Sequence, residues 1–143
     1  MPLSRSEYEM LAAFRYRLRQ FHSFSEKAAE GLGLTQQQYQ ALLAVRAHPG
    51  PGVLTISDLA ALLLIKHHSA VGMVNRLAEQ GMVKREPSEE DGRKVGIRLT
   101  PTGQRVFDKL ATAHRAELAR IGPDLARLMS YFAGKGRGTK PRR

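Results

Sequence analysis

Arg76 is the side chain whose chemistry most needs a place. Its guanidinium presents N–H donors in a planar fork, which suits the paired acceptors of a guanine edge and equally a phosphate. Ser69 and Gly72 precede it by seven and four residues, so a helix would put all three on one side. Both are small, which lets a backbone approach a base edge. Asn75 offers an amide that complements adenine, toward the flank of that face, and His68 adds a further polar group. Lys66, just before them, is a poor helix cap by propensity but a good phosphate ligand. A second group follows in Ser88–Lys94. Arg93 and Lys94 are cations where a hairpin would turn, and an arginine suits the enhanced negative potential of a narrow minor groove. Asp91 cannot ligate phosphate, so its expected role is to support the loop and orient Arg93. Together these residues carry the chemistry of reading double-stranded DNA.

Other chemistries find less support. The histidines are His22, His48, His67, His68 and His114. No two stand four residues apart, the helical spacing for a shared metal. Gly31, Gly33, Gly50 and Gly52 lack the strand–helix context of a phosphate-binding loop. No nucleophile has an identifiable partner base. We therefore expect no enzyme, no catalytic residue, no bound metal and no cofactor.

The elements that must position the two groups can be read from periodicity and caps. Residues 4–30 form a long helix, with Tyr8, Leu11, Phe14 or Arg15, Leu18, Phe21 and Ser25 at three- and four-residue steps. Gly31 and Gly33 stop it. Thr35 and Gln38 make a capping box for a second helix that ends near Ala47. His48–Gly52 is a Pro- and Gly-rich loop. Thr55 and Asp58 cap a short helix to about Leu63, and a turn at 64–66 leads to a helix over 67–80. On that helix Ala70, Met73, Val74 and Leu77 form the inward face, opposite His68, Ser69, Gly72 and Arg76. Gly81 ends it. Met82–Pro87 and Lys94–Thr100 are strands, the second alternating Val95, Ile97 and Leu99 with Gly96 and Arg98. Pro101 opens the next helix, which Gly122-Pro123 is expected to break before a last short helix.

Composition bounds the rest. The chain has 143 residues, no cysteine and a formal charge of +10, suited to one domain, without disulfides, and to a polyanionic partner. Residues 53–100 balance seven cations against six anions, whereas residues 101–143 carry ten against three. The evidence in the middle segment is therefore arrangement rather than basicity. Residues 134–143 are Gly-rich and basic, the composition of a disordered tail. No apolar run approaches a membrane span and no signal peptide is visible, so the expected location is cytoplasmic.

The order helix, turn, helix, hairpin resembles the MarR family of bacterial transcription regulators. The resemblance runs from about Arg15 to Phe132. It rests on Leu54-Thr-Ile-Ser-Asp-Leu-Ala60, Val74-Asn-Arg-Leu-Ala-Glu-Gln-Gly-Met-Val-Lys-Arg85, Asp91-Gly-Arg93 and Ile97-Arg-Leu-Thr-Pro-Thr-Gly103. It implies a mainly α (α+β) fold, a winged helix-turn-helix with N- and C-terminal dimerisation helices. Residues 1–143 would form a single domain, with a DNA-binding lobe at 53–100 and dimerisation helices at 4–30 and 101–133. Arg93 matches the family's wing arginine and Asp91 its supporting aspartate. Gly92 departs from a usually basic wing position, and Leu64 stands where the turn often has glycine.

The resemblance further implies a homodimeric repressor of a palindromic operator. Tyr8, Leu11, Leu125, Leu128, Met129 and Phe132 are apolar near both ends of the chain and suit such a dimer. It also implies a small aromatic effector, for which Phe14, Arg17, Phe21, Phe24 and Tyr39 are the candidate contacts. Two other readings compete: a zinc-responsive regulator, and a non-specific architectural nucleic-acid binder whose affinity ignores sequence.

Overall fold

The computed structural model describes residues 2–88 and 91–136. Along the chain run α1 (Arg5–Glu30), α2 (Gln36–Ala47), β1 (Leu54–Thr55), α3 (Ile56–Leu63), α4 (His67–Glu79), β2 (Val83–Pro87), β3 (Val95–Leu99) and α5 (Pro101–Gly136). Both capping boxes form. Thr35 Oγ1 accepts the Gln38 amide while Gln38 Oε1 accepts the Thr35 amide, and Thr55 and Asp58 do the same. Each box satisfies two amides that a helix start leaves orphaned.

The described residues fall into two compact units, one spanning Glu26–Thr112 and the other formed by the chain's ends. In the middle unit, β1, β3 and β2 lie in that order as an antiparallel sheet, with Leu54 and Arg85 both opposite Ile97. Leu42, Leu54, Leu59, Val74, Leu77, Ile97 and Leu110 are fully buried. Each such side chain contributes about 1.5–3 kcal/mol by leaving water, so this core is what holds α3, α4 and the sheet together.

The two-residue strand β1 was not apparent in the sequence, because it is too short to show a period. The alternation in β3 also differs from expectation. Ile97 is buried, but Val95 is exposed and Gly96 is buried. Val53 packs over Gly96 so closely that a Cβ there would overlap its side chain. Both faces of β3 are therefore covered at this point.

In the end unit, the expected break at Gly122-Pro123 does not occur; α5 runs through it. Proline removes one rung of the helix, but Ile121 and Leu128 are both buried. Seven residues apart, they share a face only if the helix continues, and their burial offsets the lost bond. Beside the proline, Asp124 binds Arg17 at 2.8 Å. His114 is buried, 2.8 Å from Ser25 Oγ, with the rings of Phe21 and Phe24 edge-on against it. Leu128 is thus an internal core residue, while Tyr8, Leu11, Leu118 and Met129 stay exposed. The backbone of α5 extends to Gly136, into the segment expected as a tail; residues 137–143 lie outside the described residues.

Candidate nucleic-acid interface

The inward face of α4 is as its periodicity requires: Ala70, Met73, Val74 and Leu77 are all buried. His68, Ser69, Asn75 and Arg76 are exposed on the outer side. Gly72 is half-buried for a specific reason. A Cβ there would lie 3.7 Å from a terminal guanidinium nitrogen of Arg76. The arginine therefore reaches back over the glycine, one turn away, so the space that glycine leaves is occupied by the guanidinium in this state.

The start of α4 is open. Lys66 occupies the cap position with no side-chain hydrogen bond to the helix. Its carbonyl accepts the amides of Ser69 and Ala70. The positive end of the helix and the exposed Lys66 thus face the same place, which favours an anion. Before it, Leu64 takes the left-handed conformation with φ 57° and is 92% exposed. The departure from glycine noted in the sequence leaves the turn geometry intact and puts a side chain into a strained backbone.

In the hairpin, Asp91 Oδ1 accepts from both the backbone amide and Nε of Arg93, at 3.1 and 3.3 Å. The Asp91 carbonyl accepts the amide of Lys94, and the Lys94 carbonyl accepts that of Ser88. One carboxylate thereby ties the loop backbone and the arginine side chain together. Arg93 remains 93% exposed, so the bond orients its charge without burying it. Glu89 and Glu90 lie outside the described residues.

A groove of about 300 Å³ joins the hairpin to the helix-turn-helix. Arg93 and Lys94 line it together with Ser57, His67 and Arg85, over a floor that includes Ile56 and Val71. Among the described residues no acid lines it. Ser57, His67 and Arg85 were not singled out from the sequence. Arg85 has a signal in hindsight, a Lys84-Arg85 pair in an otherwise amphipathic strand. Ser57 has none, since its place at the groove depends on how α3 meets the hairpin.

The candidate effector residues divide between the two units. Phe14, Arg17, Phe21 and Phe24 belong to the end unit, where Arg17 is engaged by Asp124 and Gln20. Tyr39 belongs to the middle unit. Its ring stacks on Phe107 with centroids 6.0 Å apart, and burial pushes its hydroxyl pKa up. Among the described residues no three His, Asp or Glu side chains gather as metal ligands. No described helix is long and apolar enough to cross a membrane.

The sequence profile of the MarR family matches residues 32–94. The organic hydroperoxide resistance transcriptional regulator of Bacillus subtilis is 32% identical over 102 residues, covering 69% of this chain and 67% of that protein. The transcriptional activatory protein BadR of Rhodopseudomonas palustris is 30% identical over 90 residues, covering 63% of this chain and 51% of its own length. The chain thus spans only about half of that relative. Among solved structures, AbsC of Streptomyces coelicolor, a MarR family transcriptional regulator, superposes with a TM-score of 0.69 over 97% of this chain and 99% of its own, at 24% identity.

Proposed function

The chain belongs to the MarR family of transcription regulators, and from that premise we propose that it binds double-stranded DNA sequence-specifically as a homodimer. In this reading α4 enters the major groove. Arg76, Ser69, Gly72 and Asn75 face the bases, His68 and Lys66 meet the backbone at the helix start, and Arg93 with Lys94 follows the hairpin toward the minor groove. The observation that carries it is the groove between α4 and the hairpin, where Ser57, His67, Arg85, Arg93 and Lys94 converge with no acid among the described residues that line it. Five groups able to donate to phosphate on one concave surface suit a curved polyanion. Asp91 acts there as a scaffold.

The dimer rests on the apolar surface of the end unit, where Tyr8, Leu11, Leu118 and Met129 are exposed on long helices. Two-fold symmetry then pairs two recognition helices and calls for a palindromic operator. Repression by occluding a promoter, relieved by a small-molecule effector, completes the reading. Phe14, Arg17, Phe21 and Phe24 are the contacts proposed for that effector. Tyr39, committed to stacking on Phe107, is the weakest member of the original set.

Selection of bound sequences from a random duplex pool tests the whole. An inverted repeat with half-sites about one helical turn apart is the expected result. Recovery of unrelated sequences, with affinity that depends only on salt, would establish the architectural alternative instead.

A further inference from the structure

The far end of α4 carries a network of side-chain hydrogen bonds. Gln80 caps the helix, and its backbone amide donates to the Arg76 carbonyl at 3.0 Å. Its side chain leaves the helix and bonds twice to the segment where α1 gives way to α2. Gln80 Oε1 accepts from Nε2 of Gln38 at 3.1 Å, and Gln80 Nε2 donates to the carbonyl of Gly33 at 3.1 Å. These partners stand 42 and 47 residues away along the chain.

The network has a direction. The Thr35 amide donates to Gln38 Oε1, Gln38 Nε2 donates to Gln80 Oε1, and Gln80 Nε2 donates to Gly33 O. Its two ends are a backbone N–H and a backbone carbonyl, which cannot exchange roles. Each member between them must accept with one atom and donate with another, which a carboxamide does and a carboxylate or ammonium does not. The chain of bonds begins and ends on one turn. Gly33 and Thr35 flank Leu34, which is buried and whose amide donates to the Ala29 carbonyl. Gln38 is only 6% exposed although it is polar. Removing its acceptor would leave a desolvated N–H unsatisfied, which costs more than an ordinary surface hydrogen bond is worth. Gln80 itself lies at the surface, so the burial of Gln38 is what makes the tie firm.

We infer that Gln38 and Gln80 are positioning residues for DNA recognition: their amide relay fixes the carboxyl-terminal end of α4 to the α1–α2 turn and so sets how Ser69, Gly72 and Arg76 are presented to the bases. The inference rests on the reading that α4 enters the major groove. The helix has 13 residues and is therefore about 20 Å long. A tilt of about 3° at the tied end moves the other end by about 1 Å over that length. Bidentate pairing of an arginine with a base edge depends on geometry at that scale, whereas attraction to phosphates does not. The relay thus bears on sequence preference more than on general affinity.

The test compares Gln80→Met and Gln38→Glu with the parent chain. Gln80→Met removes both side-chain bonds without adding charge. Gln38→Glu keeps an acceptor for the Thr35 amide, as in a Thr-x-x-Glu capping box, but cannot donate to Gln80. Fluorescence anisotropy at fixed salt gives the affinity for an operator selected by the parent and for random duplex. Relative to random duplex, each variant should bind the operator about tenfold more weakly, the worth of about one well-placed hydrogen bond. The double variant should lose little more than either alone. In the free protein, amide hydrogen exchange should quicken at Leu34, Thr35 and Gly81 but not at Val74. Gln38 is buried, so its variant separates positioning from direct contact with DNA. Parental preference in both variants would overturn the assignment, even with faster exchange, since the relay would then only brace the fold. A loss confined to Gln80→Met would also overturn it, by making Gln80 a DNA contact. A parent chain without sequence preference would instead overturn the DNA reading itself, and the positioning role with it.

Discussion

Gly103, in the first turn of α5, lies against the backbone of Met82. A Cβ on Gly103 would overlap the Met82 carbonyl oxygen and lie 2.8 Å from its carbonyl carbon. The approach is locked by Thr100. Its amide donates to the Met82 carbonyl, its hydroxyl donates to the Gly81 carbonyl, and its Oγ1 accepts the amide of Gly103. The exit from the second hairpin strand is thus pinned to the entrance of the first, and only glycine fits.

Gly103→Ala should therefore destabilise the protein by about 3 kcal/mol, since the obstruction is backbone and overpacking of this kind costs about 1–3 kcal/mol or more. Gly122→Ala is its control. Gly122 is also helical in α5, but among the described residues nothing outside its own helix turn lies within 4 Å of a Cβ there. That change should stabilise by about 0.5–1 kcal/mol. Urea unfolding of both variants checks the pair; similar effects would mean that Gly103 is not tightly packed.

Leu64 makes an opposite prediction from the same physics. It holds φ 57° and ψ 41° as the residue that ends α3, yet is 92% exposed. Little packing offsets the left-handed conformation, which costs a non-glycine residue about 1–2 kcal/mol. Leu64→Gly should raise stability by about 1 kcal/mol in thermal unfolding, less the added entropy of the unfolded chain. A loss of stability would show that the leucine side chain makes a contact worth more than the strain.

Arg93, Asp91 and Arg76 should separate by role. Arg93→Ala should weaken binding to a selected operator about tenfold and leave unfolding unchanged, because the side chain is 93% exposed. Asp91→Asn keeps the shape but removes the charge that holds Nε of Arg93. It should cost less than Arg93→Ala, and the double variant should lose little more than Arg93→Ala alone. Arg76→Ala should weaken binding and relax preference at one base pair. Fluorescence anisotropy at fixed salt measures all four. Parental affinity for both arginine variants would place the DNA face elsewhere.

Glu86 supplies a pH-dependent prediction. Its hydrogen bond from Arg98 holds the carboxyl pKa below the ordinary glutamate value, outweighing the opposing effect of burial, and the charges of Arg98 and Lys84 lower it further. A lowered folded value means that the pair's contribution is complete above the ordinary pKa and is lost as pH falls through the folded one. Arg98→Gln should raise the Glu86 pKa toward its ordinary value in a carbon-13 NMR titration. The same midpoint in both proteins would break the link between the two residues.

Dimerisation is tested on the exposed apolar residues. Leu11→Glu combined with Met129→Glu should shift sedimentation toward monomer and reduce operator affinity sharply. The fold should survive, because Leu11 and Met129 are 42% and 56% exposed. An unchanged dimer would place the interface on another surface.

Sequence alone determined the features whose cause lies within a few residues. The two capping boxes, the left-handed stops at Gly33 and Gly81, and the inward stripe of α4 depend on neighbours one turn away. The Asp91–Arg93 bond, expected from a separation of two residues, is of the same kind. Tertiary structure decided what depends on distant partners. Pro123 sits inside a continuous helix because Ile121 and Leu128 bury one face of it. Gly96 and Gly103 are required by Val53 and Met82. Arg85 comes to the same groove as Arg93 only because the hairpin strands pair. Periodicity reports which side of an element is apolar; it carries no information about which distant backbone will come to rest against it.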